Sequence, residues 1–107
     1  MALVERCYRE TRAFPPDERF GLTAQLRRAA VSVPSNVAEG ASRLTTPAFV
    51  NHLSIARGSL SELETCVEIA RRLEYVSAVK EKEMLALAGT VGRLLNGLLR
   101  SLRSRER

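Results

Sequence analysis

A chain of 107 residues is sized for one domain, because a single hydrophobic core commonly serves about 100 to 150 residues. Apolar residues at 45% and charged residues at 27% exclude a disordered chain, and no apolar run reaches the roughly 18 to 20 residues that cross a bilayer. The net charge is +5, nearly all of it arginine, and charges run through residues 1–14 where a signal peptide would be apolar, so the chain reads as a soluble cytoplasmic protein that attracts polyanions.

The first helix is expected over about residues 2–13. Phe14-Pro15-Pro16-Asp17 ends it, since each proline lacks an N–H and disfavours helix in the residue before it. A second helix, over about 22–41, carries its apolar face on Leu22, Leu26, Ala29, Ala30, Val33, Val37 and Ala41, at helical spacing. Pro34 lies inside it and predicts a kink, a bend or break over 31–35 costing about 3 kcal/mol, with the apolar period carrying on beyond. The third helix, about 47–74, opens on Thr46 as N-cap and Pro47 in the first position. Phe49, Leu53, Ala56, Leu60, Leu63, Val67 and Ala70 then alternate steps of four and three, the repeat of left-handed helix packing.

The fourth helix is expected over about 78–103. Its apolar residues, from Met84 to Leu102, spread over an arc of roughly 180° at 100° per residue. One buried seam needs only about 100°. One flank is therefore expected to meet another subunit, with Leu85, Leu95, Leu99 and Leu102 as interface candidates. Gly89, Gly92 and Gly97 in this helix each cost about 1 kcal/mol against alanine and point to close approach of another backbone. Together these elements predict an all-α fold, an antiparallel up-down-up-down four-helix bundle forming one domain over residues 1–107.

Catalytic chemistry finds little footing. His52 is the sole histidine, and no glutamate stands three residues from it, as bundle metal sites require. Glycine-rich phosphate loops are absent. Cys7 and Cys66 lie far apart in sequence and read as buried, reduced thiols. No catalytic residue, metal or cofactor is expected. A helix-turn-helix over residues 37–50 fails because Gly40 falls two positions early and the third helix is too long for a recognition helix. Arg28, Ser32, Ser35 and Glu39 form one row along the second helix, a structural row in which Ser35 and neighbouring Asn36 help satisfy backbone groups near Pro34.

The charge excess lies at the C-terminal end, with +4 in residues 77–107. Arg93, Arg100 and Arg107 recur every seven residues opposite the leucine arc, with Arg103 beside them. Guanidinium forks at that spacing suit phosphates. Arg27 and Arg43 are further candidates for contact with RNA or DNA, although aromatic platforms for unpaired bases are not foreseen. The alternative is a protein-interaction scaffold whose apolar flank docks a partner protein without nucleic acid.

Residues 14–40 carry a specific motif: Phe14-Pro15-Pro16-Asp17-Glu18-Arg19-Phe20-Gly21-Leu22, and, further on, Arg27-Arg28-Ala29-Ala30-Val31-Ser32-Val33-Pro34-Ser35-Asn36-Val37-Ala38-Glu39-Gly40. With Ala56-Arg57-Gly58-Ser59-Leu60-Ser61-Glu62-Leu63-Glu64 and Val91-Gly92-Arg93-Leu94-Leu95-Asn96-Gly97-Leu98, it closely resembles the bacterial four helix bundle protein family, also called the 23S rRNA intervening-sequence protein family. The chain departs from that pattern in having no tryptophan, and so no Leu-x-Val-Trp segment at its front. The resemblance implies an antiparallel bundle assembling into a ring, a homopentamer. It also implies kinship with the accessory protein of diversity-generating retroelements, hence nucleic acid and a reverse transcriptase as partners, and it does not imply a catalytic activity.

Overall fold

The computed structural model describes residues 1–105. Four helices follow in order: α1 over Ala2–Thr11, α2 over Leu22–Ala41, α3 over Thr46–Arg72 and α4 over Ala78–Arg105, with a single 3₁₀ turn at Pro16–Glu18. No strand is present among the described residues. Side-chain pairs show α2 and α3, and likewise α1 and α4, to run antiparallel, and the short α3–α4 connection returns α4 along α3. Ser32 and Asn36 meet Ser59 and His52; Arg57 meets Asn96; Arg6 and Glu10 meet Glu83 and Lys80.

The helix ends follow local chemistry. Thr45 caps α3, its hydroxyl accepting from the Ala48 N–H at 3.3 Å, so the cap falls one residue before the expected Thr46. Leaving α3, Glu74 takes a left-handed φ of 65°, the Tyr75 N–H reaches back to the Ala70 carbonyl at 2.8 Å and the Glu74 N–H to that of Arg71. This paired closure stops α3 at Arg72 rather than at 74. Glu18 Oε1 accepts the Leu22 N–H at the start of α2, while Oε2 accepts the Tyr75 hydroxyl, fastening the α3–α4 loop beside it. Helix α2 runs unbroken through Pro34. The missing Pro34 N–H leaves the Ala30 carbonyl without its helical donor, and Asn36 donates its side-chain amide to the Ser32 carbonyl one turn back.

The seven-residue repeat of α3 is the spine of the core: Leu53, Ala56, Leu60, Leu63, Val67 and Ala70 are all buried, with Phe49 packed at the edge. Leu26, Ala29, Ala30 and Val33 of α2 face it, with Met84, Ala88, Leu95, Leu99 and Leu102 of α4. Cys7 and Cys66 are free and buried, as expected, and burial pushes the Cys7 thiol up to about 12. Each buried side-chain polar atom among the described residues has a hydrogen-bond partner.

Within the protomer the glycines of α4 do not admit another backbone. A Cβ on Gly92 would touch only a Leu60 methyl at 3.4 Å, and those on Gly89 and Gly97 only arginine side-chain tips. The close approach is instead at Gly40, where a Cβ would sit 2.8 Å from His52 Cβ and 2.9 Å from Phe49 Cδ1. Helices α2 and α3 touch there because nothing separates them.

Candidate nucleic-acid interface

Arg93, Asn96, Arg100 and Arg103 follow at steps of three, four and three along one flank of α4, and all are exposed. Helix α3 adds to the row: Arg57, also exposed, donates Nη1 to Asn96 Oδ1 at 3.2 Å. The sequence reading missed Arg57. Its only signal was a position next to core residue Ala56, which carries no information about α4.

Charge is segregated along the bundle, whose extents are 48 × 24 × 18 Å. No acidic residue occurs between Glu39 and Glu62, nor between Glu83 and Glu106. Antiparallel packing brings those two acid-free stretches to the same end of the molecule. Glu39 is the one carboxylate there among the described residues, and it pairs with Arg43. That pair is half exposed on both sides, so it is weakly held and leaves Arg43 able to turn to another anion. At the other end sit Glu10, Asp17, Glu18, Glu68, Glu74 and Glu81. Burial works against the charge of Glu10, but Arg6 and Lys80 outweigh it and hold the carboxyl below the usual range.

Two of the expected arginines do not join the row. Arg27 donates Nε to Thr11 Oγ1 at 2.8 Å, and its guanidinium lies 4.7 Å from the Tyr8 ring centroid, stapling α2 to α1. Arg107 lies outside the described residues. The polar row of α2 also divides. Ser32 shares a 2.7 Å hydrogen bond with Ser59, and Asn36 donates to both the carbonyl and the hydroxyl of Ser32. With its amide N–H groups so used, Asn36 presents Oδ1 to His52 Nδ1 at 3.2 Å, which places the proton of the neutral ring on Nδ1. Ser32 and Asn36 thus join α2 to α3, while Arg28 and Ser35 face solvent.

The interface candidates need correction. Leu95, Leu99 and Leu102 are buried in the protomer's own core and Leu85 is partly buried, so the apolar surplus of α4 lies elsewhere, on Leu94 and Leu98. Periodicity defined the width of the arc but not which part of it faces inward. Those two leucines line an apolar groove of about 380 Å³ beside the start of α1, walled by Val37, Ala38 and Ala41 of α2 and Val91, Leu94 and Leu98 of α4. On the helical wheel this groove and the arginine row occupy opposite flanks of α4.

Aromatic surfaces are better placed than composition implied. Tyr8 stacks with Arg27, and Arg19 lies over Phe20 at 5.3 Å from the centroid, with Phe20 itself 86% exposed. Among the described residues no cluster of metal-ligating side chains occurs, and no helix is long and apolar enough to cross a membrane.

A family model described as 23S rRNA-intervening sequence protein matches residues 1–97, a span that includes Arg57, Arg93 and Asn96 and stops short of Arg100. Among solved structures, the chain is similar to a protein of unknown function from the S23 ribosomal protein family of Bacteroides thetaiotaomicron VPI-5482. The two are 21% identical with a TM-score of 0.78, over 90% of this chain and 87% of the other. That likeness concerns the fold. Among the curated proteins, none matches.

Proposed function

The chain belongs to the 23S rRNA-intervening sequence protein family, and from that premise we propose that it is a non-catalytic bundle that associates with copies of itself and contacts RNA phosphates through the arginine flank of α4. One observation carries the RNA half of this reading. Arg93, Arg100 and Arg103 stand exposed in a row with no carboxylate in the same stretch of chain. No carboxylate competes for these forks, Arg93 spending one Nη2 donor on the exposed Thr90 hydroxyl at 3.2 Å, and release of condensed counterions drives contact with a phosphate. Leu94 and Leu98 support self-association. A groove on one protomer filled by a different surface of the next is a head-to-tail contact, the type of interface from which a ring such as the proposed pentamer is built when its rotation closes.

The test is salt dependence. Binding of a labelled RNA duplex should weaken steeply with salt. Replacing Arg93, Arg100 and Arg103 by alanine should lower the slope of log affinity against log salt by about 2 to 3, at about 0.9 per lost phosphate contact. An unchanged slope and affinity would remove the site. In sedimentation, Leu94→Glu should shift the chain to a smaller species; a wild-type chain that is already solitary would end the self-association half. A second reading rests on the same exposed leucines: a partner protein, such as a reverse transcriptase, fills the groove, and salt-sensitive RNA binding is then absent.

A further inference from the structure

A second basic surface, on α1, α2 and the connection between them, has the chemistry of a base-stacking site. Tyr8, Arg19, Phe20, Arg27, Arg28 and Val31 line an open groove of about 690 Å³ into which no carboxylate projects. Its most unusual member is Phe20. An aromatic ring 86% exposed forgoes the burial that normally stabilises it, at about 25 cal/mol for each Å² left in water. Arg19 covers at most one of its two faces. Arg28, the residue after the stacked Arg27, is exposed, and among the described residues no carboxylate pairs with it. Arg27, by contrast, is committed to Tyr8 and Thr11, so it supplies a charged wall rather than a fork.

We infer that this groove binds an unpaired nucleotide of single-stranded RNA, with the base stacked on the free face of Phe20 and the adjoining phosphate held by Arg28 and Arg19. The inference rests on the RNA reading above and deepens it, because it names single strands as the preferred form. In a duplex the bases are stacked on one another and cannot lie on a side-chain ring, whereas splayed bases of loops and ends can. Stacking accepts any base, since every base has a π face, and an arginine on the far side of the ring adds a cation–π contribution.

The chain has no tryptophan, so Phe20→Trp places a single fluorescent reporter in the groove of the full chain. Titration with a 12-nucleotide oligoadenylate at low salt should quench that emission to saturation, and an RNA duplex of equal length should leave it largely unchanged. Phe20→Ala, at a position too exposed to matter to folding, should weaken oligoadenylate binding about tenfold while duplex binding holds. Absence of quenching, or wild-type oligoadenylate affinity in Phe20→Ala, would overturn the site. If Phe20→Ala changes nothing while the α4 arginine triple variant loses RNA, the stacking site falls and the α4 reading stands. If Phe20→Ala weakens single-strand binding while the triple variant binds normally, the stacking site stands and the α4 row falls.

Discussion

Substituting alanine for glycine should have opposite signs at two positions of this bundle, and the packing says why. Within a helix the change is favourable by about 0.8 to 1 kcal/mol through backbone entropy. At Gly58, in the interior of α3, an added Cβ meets nothing within 4 Å, so Gly58→Ala should realise that gain. At Gly40 the same methyl would lie 2.8 Å from His52 Cβ, 2.9 Å from Phe49 Cδ1 and 3.3 Å from the Phe49 carbonyl oxygen. His52 Cβ and the carbonyl belong to the α3 frame and cannot swing aside as a flexible side-chain tip can. Relief requires α2 and α3 to part, an overpacking cost of about 1 to 3 kcal/mol. The net for Gly40→Ala is a loss of about 1 kcal/mol, with the Asn36–His52 hydrogen bond stretched as well. In a domain of this size each kcal/mol moves the melting temperature by about 4 to 8 °C. Thermal unfolding followed by circular dichroism, at matched protein concentration, should therefore place Gly58→Ala above the parent and Gly40→Ala below it. Equal stabilisation by both would refute the close approach of α2 and α3.

Two further outcomes follow from single residues. Glu74 holds a left-handed backbone at the close of α3, a conformation costing a non-glycine residue about 1 to 2 kcal/mol, so Glu74→Gly should raise the denaturant midpoint by about 1 kcal/mol of stability; no gain would count against the closure described. Glu10 has its carboxyl held low in the folded state, so its contribution is complete above its ordinary value of 4.5 and is lost as pH falls through the lowered folded value. Glu10→Gln should accordingly cost about 1.5 to 3 kcal/mol near neutrality and progressively less in acid, read from urea unfolding at a series of pH values; a penalty independent of pH would remove the ion pairs with Arg6 and Lys80 as its source.

Much of the architecture was legible along the chain. The alternating steps from Phe49 to Ala70, the prolines at 15 and 16 and the wide leucine arc of the last helix determine four helices and, for α3, the inner face, because helical periodicity is a local property of one segment. Cys7 and Cys66 could be assigned to the interior on the same grounds. What the chain could not say was how each helix is rotated. Leu94 and Leu98 face outward while Leu95, Leu99 and Leu102 close the core, an outcome decided by packing against α3. Arg27 reads as a phosphate ligand until Tyr8 is found beneath it, and nothing along the chain marks Phe20 as a ring left in solvent beside Arg19. Sequence by itself determined which residues belong to helices and the sign of the net charge. Only the tertiary structure decided where that charge collects, because the acid-free stretches 40–61 and 84–105 are neighbours through antiparallel packing and not through the chain.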